Sequence, residues 1–98
     1  MKFDGKMKAV TFSYDDGVTQ DLRLIEMLNR YGMKGTFNLN SGGFGGRESR
    51  DIEGTLVYRD KIFAHDVKRI YEGHEVASHT LNHPDLTRLS DEEIVYQI

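Results

Sequence analysis

The sequence has no cysteine, no strong net charge and only one proline, Pro84, in its 98 residues. Without cysteine there is neither a disulfide framework nor a thiolate metal site. Any metal must therefore be held by histidine, aspartate, glutamate or backbone oxygen. The formal net charge of −3 gives no reason to expect a nucleic acid or an anionic membrane as a partner.

Long hydrophobic runs are also missing. No window approaches the roughly 18 apolar residues of a membrane span. The first ten residues carry acid and glycine where a signal peptide needs an apolar run. We therefore expect a cytoplasmic chain, unless a leader has been removed. Residues 1–98 are long enough for one small domain and too short for two.

Strand and helix patterns alternate along the first forty residues. Residues 8–14 predict a buried strand, because apolar and small side chains alternate there. An amphipathic helix follows, with Thr19 as its predicted N-cap and Gly32 at its end. Residues 35–40 predict a second strand. Strand, helix and strand make one βαβ unit, which implies a parallel pair.

The second half continues the alternation after an interruption. Residues 41–64 are glycine-rich and are expected to form a long irregular loop. Residues 66–72 predict a short helix and residues 74–78 a third strand. A capping box formed by Ser90 and Glu93 predicts the start of a last helix.

The predicted fold class is therefore α/β with a parallel sheet. Three strands leave sheet edges and helix faces uncovered. A (β/α) barrel typically needs roughly 250 residues. The chain is accordingly expected to form about the first half of a larger barrel.

Polar side chains collect where the predicted strands end. Asp15 and Asp16 follow the first strand, and His79 and His83 follow the third. Asn40 ends the second strand and is a candidate for contact with a substrate or for support of the site. In parallel sheets reacting groups gather at the carboxyl ends of strands. We expect these ends to be neighbours and to form one site.

Two histidines and two aspartates favour a metal site with a separate base. His79 and His83 are four residues apart, so a single helical turn ending before Pro84 would place both on one side. Two imidazoles and one carboxylate are a common catalytic zinc set. The other aspartate is then free to act as a base. A cation also relieves the repulsion between Asp15 and Asp16.

Simpler interpretations stay open at this point. A His-x-x-x-His pair often lies on a solvated helix, and Asp-Asp-Gly is often only a turn. His65 and His74 lie away from the strand ends and are expected to be structural or solvated. The loop arginines, which are Arg47, Arg50 and Arg59, are expected to be solvated.

Four segments resemble a known family in order and spacing. Residues 13–17, SYDDG, resemble the first motif of polysaccharide deacetylases, T/S-F/Y-D-D-G. These enzymes share the NodB-homology domain and form carbohydrate esterase family 4. Residues 79–84, HTLNHP, resemble the second motif, H-S/T-x-x-H-P. Residues 35–37 look like the family's ATF strand, and residues 89–94 like its LSxxEI helix start. The resemblance covers nearly the whole chain.

The resemblance implies a distorted (β/α)7 barrel and a metal-dependent deacetylase. Such enzymes hydrolyse the C–N amide bond of N-acetylglucosamine-type carbohydrate units with water that the metal activates. By this resemblance Asp15 is the general base, and Asp16, His79 and His83 are the metal ligands. Thr80 is expected to support the second motif by hydrogen bonding. The implied metal is Zn²⁺, or another divalent ion such as Co²⁺.

The later motifs of that family are not found in this sequence. They would bring a substrate-positioning arginine, a tryptophan-bearing segment and a histidine acting as general acid, and this chain has no tryptophan. The chain is therefore expected to be the N-terminal half of the domain, with its general acid outside residues 1–98. Two alternatives stay open. One is a non-catalytic half that self-associates through its open edge, and the other is a related hydrolase of small amides.

Overall fold

The computed structural model describes residues 2–98, which fold into an α/β arrangement with two separate sheets. The strands are β1 (Ser13–Asp15), β2 (Thr36–Leu39), β3 (Ser49–Ile52), β4 (Thr55–Tyr58) and β5 (Glu75–Ser78). The α-helices are α1 (Asp21–Arg30), α2 (Val67–Ile70) and α3 (Asp91–Gln97). Short 3-10 turns occupy Lys2–Gly5, Ala64–Asp66 and Leu86–Arg88. Among the described residues, none of the helices combines the length and apolarity needed to cross a membrane.

The main sheet is parallel and has the strand order β1-β2-β5. Tyr14 pairs with Phe37, which in turn pairs with Val76 on the far side. The predicted βαβ unit and parallel sheet are thus confirmed. The strands that precede the aspartates and the histidines are not neighbours, however, because β2 lies between β1 and β5.

Phe37 on the central strand forms the middle of the hydrophobic core. Its side chain is fully buried, with 0% exposed. The ring packs 5.6 Å from the ring of Tyr14 and 4.9 Å from that of Tyr71. Ile25 and Leu28 of α1 are buried in the same cluster. The core therefore lies between the sheet and the inner faces of α1 and α2.

The N-cap of helix α1 lies one residue later than predicted. The structural N-cap is Gln20, with no side-chain hydrogen bond, so the assignment of Thr19 as N-cap was wrong. The N–H of Thr19 donates to the carbonyl of Asp60 at 2.8 Å, which ties Thr19 to another loop. The predicted end is confirmed, because Gly32 has φ 67° and its N–H donates to Asn29 O.

The first strand and helix are less covered than predicted. Within the expected strand 8–14 only Ser13 and Tyr14 belong to β1, and Val10 is 79% exposed. Leu22 and Met27 of α1 are also exposed, although they continue its apolar pattern. β1 is an edge strand, and nothing in residues 2–98 packs over these outer faces.

The glycine-rich segment is more ordered than predicted. Instead of an irregular loop over residues 41–64, it contains the antiparallel hairpin β3–β4. Glu53 and Gly54 form its two-residue turn with φ values of 51° and 84°, as a type I′ turn requires. An isolated antiparallel bridge then joins Val18 to Lys61, so the segment returns to the loop after β1.

The last elements follow the sequence pattern closely. Helix α2 is shorter than the predicted 66–72, because its expected first residue belongs to a 3-10 turn. Both halves of the Ser90–Glu93 capping box are present at α3. His74 is structural as expected, since its Nδ1 accepts the N–H of Gly35 at 3.0 Å.

A buried acid couples α1 to the turn after α2. Asp21 accepts a hydrogen bond from the hydroxyl of Tyr71 at 2.7 Å, and both side chains are buried. Burial raises the pKa of Asp21; Tyr71 and Lys61 oppose this rise, whereas the charge of Asp16 adds to it. Burial and the contact with Asp21 also raise the pKa of Tyr71 well above its usual range, so its hydroxyl stays a donor.

The raised pKa of Asp21 predicts that the stability of the chain depends on pH. Because the pKa of Asp21 is raised by folding, its contribution to stability is fully present below the unfolded pKa, about 3.9. That contribution is lost as the pH rises through the folded pKa. Asp21→Asn removes it, so the free energy of unfolding of Asp21→Asn minus that of the unmutated chain should increase over this pH range.

Urea unfolding of both chains from about pH 4 to pH 7 measures this difference. Tyr71→Phe is the companion variant, because it leaves the buried carboxylate without its donor and should cost about 1–3 kcal/mol at pH 7. A difference between Asp21→Asn and the unmutated chain that is constant or falls with pH contradicts this account.

Candidate metal centre

Asp16 and His79 are both anchored to the end of the central strand. The N–H of Asp16 donates to Asn38 O at 2.9 Å, and the N–H of His79 donates to Leu39 O at 2.9 Å. The ends of β1 and β5 are therefore held over the same end of β2, although the two strands do not touch. A carboxylate from one side and an imidazole from the other meet across it.

The backbone turns sharply at the aspartate. Asp16 has φ 83°, which is rare for a non-glycine residue and costs of order 1–3 kcal/mol. Gly17 follows with φ 64°, and a Cβ there would lie 3.0 Å from Leu39 Cδ2. Glycine thus serves both the turn and the close packing, while Asp16 is held in an unusual conformation.

The histidines are not brought together by a helical turn, so that expectation was wrong. Residues 79–84 form a non-helical loop in which Thr80 and His83 have φ values of 68° and 57°. Pro84 disfavours helix at the residue before it. The N–H of His83 instead donates to Thr80 Oγ1 at 3.0 Å. The buried Asn40 donates to the carbonyls of His79 and Thr80.

Asp16, His79 and His83 form a compact cluster. Their potential ligand atoms all lie within 4.8 Å of one another. Asp16 Oδ1 is 3.6 Å from His79 Nε2 and 3.4 Å from His83 Nε2. Within residues 2–98, the buried atoms Asp16 Oδ1 and His79 Nε2 have no hydrogen-bond partner. Unpaired buried polar atoms are costly, and here they converge, so the donor set fits a divalent cation such as zinc.

Asp15 lies beside the cluster and is more open to solvent. Its side chain is 55% exposed, against 19% for Asp16. Oδ1 accepts a hydrogen bond from Asn38 Nδ2 at 3.0 Å, and Oδ2 lies 3.7 Å from His79 Nε2. The two adjacent acids therefore have different surroundings, with one enclosed by the histidines and the other facing water.

Two basic side chains contact Asp16 in a way that the sequence did not predict. Arg59 Nη2 donates to Asp16 Oδ2, and Lys61 Nζ donates to Asp16 O, each at 3.2 Å. Burial would raise the pKa of Asp16, but these two cations and His83 outweigh it and hold the pKa below its ordinary value. The expectation that Arg59 is solvated was wrong, because its side chain is only 25% exposed.

Two other singled-out side chains, His65 and Arg50, make no recognised hydrogen bond or ion pair with the cluster. His65 is exposed, as expected of a solvated histidine; its ring stacks 5.6 Å from that of Phe63, and its Nε2 lies 3.6 Å from Asp66 Oδ2. Arg50 is largely exposed and pairs with Glu48 at 3.2 Å. Neither His65 nor Arg50 contributes to the arrangement around Asp16.

Open clefts lie on both sides of His83. One, of about 350 Å³, lies beneath the hairpin, and a second, of about 380 Å³, lies toward α3. His83 lines both clefts, while Asp16 lines the first and His79 the second. The first cleft is also lined by Asn40, Gly42, Gly43, Glu48, Arg50, Arg59, Lys61 and Asn82. Both clefts therefore border the cluster at His83.

Comparison with known proteins identifies relatives of the chain. The family model described as "Polysaccharide deacetylase" matches residues 2–98. A curated protein named chitin deacetylase, from Arthroderma benhamiae, is 32% identical over 91 residues. The match covers 91% of this chain but only 21% of that protein, so the chain spans about a fifth of its relative's length. No solved structure gives a significant match.

The cluster predicts that the chain binds zinc and that binding requires Asp16, His79 and His83. The unmutated chain should bind about one equivalent of zinc in a calorimetric titration. Asp16→Asn and His79→Ala should each weaken binding by more than the roughly 10–100-fold that loss of an outer partner costs. His65→Ala is the matched control and should bind like the unmutated chain. Absence of zinc binding in the unmutated chain, or an equal loss in His65→Ala, contradicts the site.

Proposed function

The chain belongs to the polysaccharide deacetylase family, and from that premise we propose that it carries the metal-binding part of a carbohydrate N-deacetylase. The reaction is hydrolysis of the C–N amide bond of N-acetylglucosamine-type units. The observation that carries the proposal is the convergence of Asp16 Oδ1 and His79 Nε2, both buried and unpaired within the described residues, beside His83.

Asp16, His79 and His83 would hold the cation, with Zn²⁺ or another divalent ion such as Co²⁺ as the proposed occupant. A cation bound there supplies Lewis-acid chemistry, polarising a carbonyl oxygen and lowering the pKa of water. Asn40 and Thr80 support these ligands, because Asn40 holds two carbonyls of the histidine loop and Thr80 accepts the N–H of His83.

Asp15 is the proposed general base. Asn38 Nδ2 donates to its Oδ1, which fixes the carboxylate, and its exposure leaves it accessible to a water molecule. As the water oxygen bonds to the acetamide carbon, Asp15 takes one proton from the water. The C–N bond then breaks, and the leaving nitrogen must gain a proton to depart as an amine. We propose that the acid that donates it lies outside residues 1–98.

The division of work between the two aspartates follows from their surroundings. Asp16 is surrounded by His79, Arg59 and Lys61. Its carboxylate is therefore placed to act as a metal ligand and not as a base. In the described part of the chain Asp15 pairs with neither a lysine nor an arginine, and the side chains beside its carboxylate are Asn38 and His79. The more open carboxylate can exchange protons with solvent between turnovers, as a general base requires.

The proposal predicts that Asp15→Asn removes catalysis and leaves metal binding. Acetate release from chitooligosaccharides is measured for the zinc-loaded 98-residue chain and for any longer natural form. The 98-residue chain should release little or no acetate, because it lacks the proposed acid. In a longer active form Asp15→Asn should lower the rate about 10²–10⁴-fold, the usual contribution of a general base.

Asp51→Asn is the matched control, because Asp51 lies at the hairpin tip, where its Oδ1 accepts the N–H of Gly54. This variant should keep the full rate. An Asp15→Asn form with the unmutated rate contradicts the assignment of the base. Substantial acetate release by the 98-residue chain contradicts the claim that a further acid is needed.

A further inference from the structure

The two carboxylate oxygens of Asp16 face different groups. Oδ2 accepts a hydrogen bond from Arg59 Nη2 at 3.2 Å. Oδ1 instead lies 3.6 Å from His79 Nε2 and 3.4 Å from His83 Nε2, and it has no hydrogen-bond partner in residues 2–98. One oxygen is therefore held by a guanidinium, while the other is directed at the histidines.

We propose that Arg59 is a positioning residue that holds Oδ2 of Asp16, so that Asp16 offers a divalent cation one oxygen and not two. This inference deepens the proposed function and rests on it. The planar guanidinium suits the task, because its donors point in fixed directions and pair strongly with carboxylates. The motifs that carry the family resemblance contain neither Arg59 nor the hairpin before it.

Arg59 is itself held by Glu48. Its backbone N–H donates to the carbonyl of Glu48 at 2.7 Å, and its Nη1 lies 4.0 Å from Glu48 Oε1. Glu48 also pairs with Arg50 at 3.2 Å. Backbone and side chain of Arg59 are thus both anchored, unlike those of an ordinary surface arginine.

The residues after Arg59 fasten the hairpin to the loop that carries Asp16. Lys61 pairs with Val18 in an antiparallel bridge, and the N–H of Ile62 donates to Gly17 O at 2.9 Å. Lys61 Nζ adds a hydrogen bond to the carbonyl of Asp16 at 3.2 Å. Arg59 therefore lies only two residues before the bridge between Lys61 and Val18, which limits how far its side chain can move from Asp16 Oδ2.

An aspartate that binds through one oxygen leaves more of a cation's coordination sphere free. Two imidazoles and one carboxylate oxygen make three protein ligands, which is the set that catalytic zinc sites use with one position open. Mutating a residue that hydrogen-bonds a metal ligand typically changes the metal affinity about 10–100-fold. Arg59 would act in this way on Asp16, because it hydrogen-bonds the oxygen that does not face the histidines. It does so although it lies outside the family motifs.

Cobalt(II) titration of the 98-residue chain, followed by visible absorption, tests the inference. Four-coordinate Co²⁺ absorbs much more strongly in the visible range than five- or six-coordinate Co²⁺. Arg59→Met frees Oδ2 to become a second ligand atom, so the bound cobalt should absorb less per ion than it does in the unmutated chain. Arg59→Lys keeps one charged donor for Oδ2 and should restore part of that absorption. Arg30→Met removes an arginine from the exposed end of α1, where it pairs with Glu26 at 3.5 Å, and should match the unmutated chain.

An Arg59→Met chain with unchanged affinity and absorption overturns the inference while the metal centre stands. Tighter binding with unchanged absorption also overturns it, because Arg59 then acts only as a nearby charge. No cobalt binding by the unmutated chain overturns both the inference and the proposed function. Circular dichroism establishes that each variant is folded, and Arg59→Leu, which also lacks a donor, replaces Arg59→Met with the same readout if the latter does not fold.

Discussion

The site depends on two backbone hydrogen bonds at the end of β2. Asn38 O accepts the N–H of Asp16, and Leu39 O accepts the N–H of His79, so one strand end aligns both loops. The burial of Phe37 and Leu39 fixes that strand in the core. Packing in the core and geometry in the site are therefore linked, because a shift of β2 would move both ligand-bearing loops.

Strain and charge are concentrated around this strand end. Positive φ angles at Asp16, Thr80 and His83 each carry a conformational cost that the surrounding hydrogen bonds must offset. Arg59 and Lys61 place positive charge beside Asp16, which eases its repulsion from the adjacent Asp15. Together these features keep one buried carboxylate oxygen unpaired and facing two imidazoles, an arrangement that a bound cation would stabilise.

Local patterns in the sequence predicted the parallel sheet, the end of α1 at Gly32 and the capping box of α3. They also singled out the residues that the structure gathers around Asp16, although the histidine loop is not helical as predicted. The hairpin β3–β4 was missed, because its Glu53–Gly54 turn is a weak signal within a glycine-rich segment. The contact of Arg59 with Asp16 was also not predicted, because the two residues are 43 positions apart and no local pattern encodes such a pairing.

The central claim is that the strand ends assemble a metal centre from Asp16, His79 and His83. Long-range ¹H–¹⁵N NMR of the histidine ring nitrogens during zinc addition tests it most directly, because the four histidines of the chain include two internal controls. The account predicts that the ring signals of His79 and His83 shift together while those of His65 and His74 stay in place. Equal shifts at all four histidines, or shifts at His65 or His74 alone, would contradict it.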